Sequence, residues 1–112
     1  MIEEYKFGQI TIDGIKYNFD VEVYWTGEVL QWLRKESHII DFEDVARAVL
    51  KKPEVIIIGT GAYGVAEVTK RAEKLIKEQK IELIVDPTEE AIKTFNLRLK
   101  NSKVVGLFHL TC

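Results

Sequence analysis

Residues 55–68 read VIIIGTGAYGVAEV, an apolar β-branched run that passes into a glycine turn and then into a pattern with helical spacing. Such runs, bounded by turn residues, are typical of buried strands. Within the stretch, Gly59, Gly61 and Gly64 have the order G-x-G-x-x-G, which in dinucleotide-binding proteins lets the backbone approach a pyrophosphate at a helix N-terminus. The stretch therefore predicts a strand–turn–helix unit of an α/β domain and raises the question of whether it binds a nucleotide.

Strands and helices alternate from this stretch to the C-terminus. Apolar runs bounded by turn residues predict strands, and apolar residues at helical spacing predict helices, the second of which has Thr88 as its N-cap. An alternating order of this kind is typical of an α/β layer architecture. The predicted elements are a strand at 55–58, a helix at 65–79, a strand at 81–85, a helix at 89–100 and a strand at 103–110.

The N-terminal half begins with a predicted β-hairpin. Asp13-Gly14 lies between alternating segments at 7–12 and 15–19, and an Asp-Gly pair suits a two-residue hairpin turn with positive φ. Tyr17 and Phe19 share one face of the second strand, so we expect both in the core. Beyond the hairpin, the pattern predicts extended segments at 20–25 and 28–33 and a helix that begins after Asp41 as N-cap and ends before Pro53.

Composition and charge limit the class of protein. The 112 residues carry 16 Lys and Arg against 18 Asp and Glu, a net charge of -2, so no global positive field attracts nucleic acid. No apolar run reaches the ~18 residues of a membrane span, and the N-terminus lacks the pattern of a signal peptide. The single cysteine, Cys112, gives no support to an oxidising compartment. We therefore expect one domain over 1–112, located in the cytoplasm, with no membrane insertion and no nucleic-acid partner. The bias of its charged residues toward Lys and Glu is typical of proteins from hot environments.

The glycine turn admits three interpretations: a dinucleotide site, a site for an anion or small ligand, and a tight structural turn. Asp86 lies near the distance at which a dinucleotide fold places its ribose-binding acid. However, Asp86 precedes Pro87 and Thr88, which suits the end of a strand, and the ring of Tyr63 restricts the approach of a diphosphate. Glycine turns between strands and helices are also common for steric reasons alone. The residues favour the structural turn.

Other candidate chemistry is sparse. His38, His109 and Cys112 show no metal-ligand spacing, and a thiol beside its own terminal carboxylate is a poor thiolate. His109 with Asn96 and Thr111 would form either a polar cluster at a pocket wall or a hydrogen-bonded edge of the core, and we favour the core edge. The aromatic cluster of Tyr24, Trp25 and Trp32 favours core packing over an exposed patch.

Several motifs together resemble a known family. They include Gly8-x-Ile10-x-Ile12-x-Gly14-x-x-Tyr17, Asp20-Val21, Trp32, His38, Gly59-Thr60-Gly61, Thr88-x-x-Ala91…Phe95-Asn96 and His109-Leu110-Thr111-Cys112. The combination resembles a small α/β family of unknown function that includes mitochondrial complex I assembly factor three and the adipogenesis-associated domain protein. The resemblance implies a three-layer domain with a mixed central sheet of about five strands, the last of which runs antiparallel to the others.

We therefore expect a cytoplasmic binding or assembly module without catalytic residues, metal or cofactor, which engages a protein partner or a small ligand. One rival is a nucleotide-binding protein, possibly an enzyme, with phosphate at the N-terminus of the helix at 65–79. Another is a structural homo-oligomer whose seam is the aromatic patch, and the oligomeric state stays open between a monomer and a small homo-oligomer. The candidate ligand-binding residues are Gly59, Thr60, Gly61, Tyr63, Gly64, Asp86, Thr88, Asn96 and His109.

Overall fold

A central sheet of five strands organises the computed structural model, which describes residues 1–112. Across the sheet the strands are β5 (Val29–Gln31), β4 (Val21–Tyr24), β10 (Val104–His109), β7 (Val55–Thr60) and β9 (Glu82–Asp86). Strands β7, β9 and β10 run parallel to one another, whereas β4 pairs antiparallel with β10 and β5 pairs antiparallel with β4. The sheet is therefore mixed, which confirms the expected fold class.

The direction of the last strand differs from the expectation. Residues 104–109 pair in parallel register with 55–60, from Val104 opposite Val55 to His109 opposite Thr60. The implication that the last strand is antiparallel to the others is therefore wrong, since β10 is antiparallel only to β4. The physical reason is the helix that connects β9 to β10, because a helical crossover returns the chain to the edge where β7 and β9 begin.

Layers cover both faces of the sheet and complete the three-layer arrangement. One layer consists of α1 (Phe42–Leu50) and α2 (Lys70–Glu78), which pack on Ile56, Ile58 and Leu107. The other consists of α3 (Thr88–Leu99) and a small antiparallel sheet, which pack on Ile57 and Phe108. Both faces are buried, so β7 and β10 are continuous hydrophobic runs. The small sheet contains β1 (Ile2–Lys6), β2 (Gln9–Ile12) and β3 (Ile15–Tyr17).

The predicted hairpin is present at Asp13-Gly14, where both residues have positive φ, 49° and 83°. Strand β1 was not predicted; it pairs with β2. Phe19, expected in the core, is exposed instead, since it lies in the connection between β3 and β4.

The helix expected at 65–79 begins five residues later than predicted. Two short strands, β6 (Ile39–Ile40) and β8 (Glu67–Val68), pair in parallel, and Thr69 N–H donates to the Ile40 carbonyl at 2.9 Å. These bonds hold 67–69 extended, and the Thr69 hydroxyl then caps α2 by accepting from Ala72 N–H. None of the three helices combines the length and apolar character needed to cross a membrane.

Candidate functional site

Strands β7 and β10 end side by side, with Thr60 opposite His109. From β7 the chain moves through α2 to β9 on one side, and from β9 it returns through α3 to β10 on the other side. The strand order therefore reverses between β7 and β10, and open α/β sheets bind their ligands outside the carboxyl ends of the strands at such a point. We call residues 60–66 and 109–112 the strand-end surface.

The glycines of the turn lie where the chain approaches itself closely. A Cβ on Gly59 would lie 3.0 Å from the Cα of Thr88, and one on Gly61 would lie 2.7 Å from the Thr111 carbonyl oxygen. Gly61 also has a φ of +104°, a conformation that L side chains rarely adopt. The space above Gly59 and Gly61 is thus occupied by α3 and by the C-terminal segment.

Three backbone donors of the turn, the N–H groups of Gly61, Ala62 and Gly64, are already bonded within the chain. Gly61 N–H donates to the Thr88 hydroxyl at 2.9 Å, Ala62 N–H donates to the Thr111 carbonyl at 2.8 Å, and Gly64 N–H donates to the Gly61 carbonyl at 3.2 Å. A phosphate site depends on free donors of this kind at a helix N-terminus. Here the helix begins only at Lys70, and its capping residue Thr69 donates to the Asp41 carboxylate at 2.7 Å.

Two of the predicted threonines connect the strand ends. The buried hydroxyl of Thr88, which we expected to be the N-cap of α3, donates to the His109 carbonyl at 2.6 Å, and Thr88 is instead the first residue of that helix, after Pro87. The Thr60 hydroxyl donates to the Asp86 carbonyl at 3.2 Å. Asp86 therefore joins the site through its main chain, and both hydroxyls are engaged by carbonyl groups.

An exposed aromatic pair lies at the rim of the strand-end surface. Tyr63 is 74% exposed, and its ring centroid lies 6.3 Å from that of Phe7, which is 57% exposed. The backbone brings the pair together, because Gly8 N–H donates to the Leu110 carbonyl at 2.9 Å. The glycine turn marks Tyr63 in the sequence, but no sequence pattern marks Phe7, since nothing along the chain links residue 7 to residue 63.

His109 belongs to a buried polar cluster with Asp20 and Arg34, not with Asn96 or Thr111. Its Nδ1 atom lies 2.8 Å from Asp20 Oδ2 and 2.8 Å from Arg34 Nη2, and Arg34 Nη2 donates to Asp20 Oδ2 at 2.7 Å. Asp20 Oδ1 accepts from the Leu110 N–H at 2.9 Å. The cluster thus ties the end of β10 to the entry of β4 and to the loop that follows β5.

The cluster is largely shielded from solvent. Only 5% of the Arg34 side chain and 19% of the Asp20 side chain are exposed. Burial alone would raise the pKa of Asp20, but the hydrogen bonds from His109, Arg34 and Leu110 together hold that pKa below its usual value. Two buried nitrogens, His109 Nε2 and Arg34 Nε, form no hydrogen bond within the chain. The structure therefore confines charged groups directly beside the strand-end surface.

Asn96 lies apart from the other candidate residues. It is eight residues beyond Thr88 on α3, about 12 Å along the helix axis. Its amide donates to the Ile2 carbonyl at 2.8 Å and accepts from the Ile2 N–H at 3.0 Å, so it holds β1 against α3. The structure thus gathers the candidates of the glycine turn with Thr88 and His109, but not Asn96.

Comparisons with known proteins agree with this architecture. Residues 2–109 match the model of a family described as protein of unknown function (DUF498/DUF598). A conserved hypothetical protein from Pyrococcus horikoshii OT3 is 28% identical with a TM-score of 0.92, and the match covers 100% of this chain and 99% of that one. A protein named MT938 is 30% identical with a TM-score of 0.85, covering 100% and 98% of the two chains. An outer membrane protein from Bartonella henselae, 20% identical with a TM-score of 0.84 over 99% and 94% of the chains, shares the fold.

Proposed function

The chain belongs to the DUF498/DUF598 family of proteins of unknown function, and from this premise we propose that it is a binding module that holds a protein partner at its strand-end surface. The observation that carries the proposal is the exposed pair of Phe7 and Tyr63 at the reversal of strand order. Aromatic side chains supply much of the binding energy of protein interfaces. The proposal includes a cytoplasmic location, which is supported by the single cysteine.

The state of the polar groups favours binding over catalysis. The hydroxyls of Thr60 and Thr88 each donate to a main-chain carbonyl. Activation of a nucleophile requires a hydroxyl or thiol within hydrogen-bond reach of a base. The Nδ1 atom of His109 faces Asp20 and Arg34, and its Nε2 atom is buried without a partner in the chain. No hydroxyl or thiol of the strand-end surface is paired with this imidazole.

A rigid frame under the aromatic pair supports the same proposal. Asp20 fixes Leu110, Thr88 fixes Gly61 and His109, and the Tyr5 hydroxyl donates to the Leu110 carbonyl at 2.9 Å. A preorganised surface loses less conformational entropy when it binds. Burial raises the pKa of Tyr5, with the nearby charge of Asp20 as a smaller cause, so its hydroxyl stays a donor at neutral pH.

Replacement of both rim aromatics tests the proposal. The double variant Phe7→Ser/Tyr63→Ser is expected to lose partner binding by about tenfold or more, because it removes the aromatic side chains that carry the proposed contact. Both residues are exposed, so the melting temperature should change little. The measurement is capture from native cell extract with quantitative mass spectrometry, followed by the affinity for each purified candidate.

A matched control is the double variant Ile15→Ser/Leu50→Ser, which changes two exposed apolar residues away from the strand-end surface. A partner that binds wild type and this control but not the rim variant supports the proposal. Loss of every captured protein to the same extent in both variants would contradict it.

A further inference from the structure

We propose that a groove beside α3, remote from the strand-end surface, binds a single-chain amphiphile with an anionic headgroup, such as a medium-chain carboxylate. The groove has a volume of about 500 Å³. Clefts of roughly 300–1,000 Å³ are the size that holds small ligands in proteins. The residues that line it are Met1, Lys93, Asn96, Leu97, Leu99 and Lys100.

The floor of the groove is apolar. Leu97 is 64% exposed and Met1 is 63% exposed. An unbranched thioether side chain such as that of Met1 adapts readily to an occupant. Met1 and Leu99 also line a neighbouring, more polar cleft of about 250 Å³, whose other residues include Asp13 and Trp25. The apolar floor suits an aliphatic chain better than a compact polar molecule, and a chain seated on it lies beside the cleft that Trp25 lines.

Two lysines give the groove a single sign of charge. Lys93 and Lys100 are four residues before and three residues after Leu97, which places all three on one side of α3. No carboxylate oxygen lies within 4.0 Å of the ammonium group of either lysine, so neither lysine forms an ion pair. The Asn96 amide is bonded to the backbone of Ile2, so it does not compete for a headgroup. The free cations at the rim complement an anion.

Another groove of similar size lacks this combination of an apolar floor and unpaired lysines. The groove along α2, about 530 Å³, is lined only by charged residues of both signs. Its lysines lie among glutamates, and it offers no apolar floor to a chain. The residues concerned are Lys70, Glu73, Lys74, Lys77 and Glu78.

The surroundings favour a dissolved amphiphile over the surface of a membrane. Attraction to an anionic membrane depends on a cluster of several basic residues. Lys93 shares α3 with Glu89 and Glu90, Lys100 follows the last residue of that helix, and Arg98 is paired with Glu82. The chain carries a net charge of -2, so no global positive field adds to the two lysines.

The anionic probe is dodecanoate, used below its critical micelle concentration. The comparison probes have the same chain length: dodecyltrimethylammonium carries a positive headgroup and dodecanol a neutral one. We expect dodecanoate to bind saturably and to change the fluorescence emission of Trp25. The variant Trp25→Phe should abolish this change in emission. The cationic probe should bind about tenfold more weakly, because it meets like charge at the rim. The variant Lys93→Gln/Lys100→Gln should weaken dodecanoate binding about tenfold.

The control pair is Lys74→Gln/Lys77→Gln on α2, which should change the affinity by less than about twofold. Equal affinity for the anionic and cationic probes would overturn the proposal, and so would equal effects of the two lysine pairs. A concentration-dependent dimer that Leu97→Ser abolishes, detected by light scattering, would assign the groove to a second copy and would also overturn it.

Discussion

The variant Asp20→Ala is expected to lower the free energy of unfolding by about 3–5 kcal/mol, the usual cost of removing one partner of a buried ion pair. The Arg34 side chain is 5% exposed, and Asp20 is its only carboxylate partner. The change also removes the acceptor of the Leu110 N–H and of the His109 imidazole contact. A melting curve should shift down by more than about 10 °C in a domain of this size.

Two further variants separate the buried charge from other effects. Glu82→Ala removes an exposed carboxylate, 52% exposed and paired with Arg98, and should cost at most about 1 kcal/mol. Asp20→Ala/Arg34→Met removes both charges and should recover part of the lost stability, because no uncompensated charge is left. A loss equal to that of Glu82→Ala would show that the pair of Asp20 and Arg34 contributes no more than a surface contact.

The same carboxylate predicts a dependence of stability on pH. The pKa of Asp20 in the folded chain is lower than its unfolded value of about 3.9. Near that pH the unfolded chain therefore binds more protons, so stability falls as the pH decreases from about 4 through the folded pKa. Urea denaturation at a series of pH values should give a flatter profile below pH ~4 for Asp20→Ala than for wild type. Coincident slopes would contradict the assignment.

The variant Gly61→Ala is expected to cost about 3 kcal/mol or more of unfolding free energy. Its φ of +104° strains an L residue, a cost of about 1–3 kcal/mol, and the new methyl group would lie 2.7 Å from the Thr111 carbonyl oxygen. Forcing such a contact apart adds about 1–3 kcal/mol. The measurement is the change in the midpoint and slope of urea denaturation.

Gly27→Ala is the matched control for this variant. Gly27 has a similar φ of +96°, but a Cβ at this position would have no atom within 4 Å of it. It should therefore show only the backbone cost, about 1–3 kcal/mol, without the cost of the close contact. Equal losses at the two positions would mean that the C-terminal segment does not press on the glycine turn.

Much of the fold follows from periodicity in the sequence. The Asp13-Gly14 turn, the helix after Asp41 and the strands predicted at 55–58 and 103–110 are local patterns, and the structure has them, with the strands at 55–60 and 104–109. The predicted start of α2 was wrong because Glu67–Val68 pairs with Ile39–Ile40, a segment distant in sequence. This pairing overrides the helical pattern. The direction of β10 also depends on distant pairing, since a strand buried on both faces shows no preferred neighbour.

The candidate site was partly predictable for the same reason. Glycines after a strand have a recognisable order, so Gly59 and Gly61 were found from the sequence. Asp20 and Arg34 were not, because an isolated acid and an isolated base in loops show no spacing that links them to His109, 89 and 75 residues away. Asp20 was noted only as part of the Asp20-Val21 motif of the family resemblance.

The glycine turn uses the N–H groups of Gly61 and Ala62 to join β7 to α3 and to the C-terminal segment, and we propose that a partner binds on the surface above it. Two-dimensional amide NMR during titration with NAD and ATP tests this directly. We expect the amide protons of Gly61, Ala62 and Gly64 to exchange slowly with solvent and their signals to stay unshifted at millimolar nucleotide. Fast exchange of these amides, with saturable shifts as nucleotide is added, would contradict it.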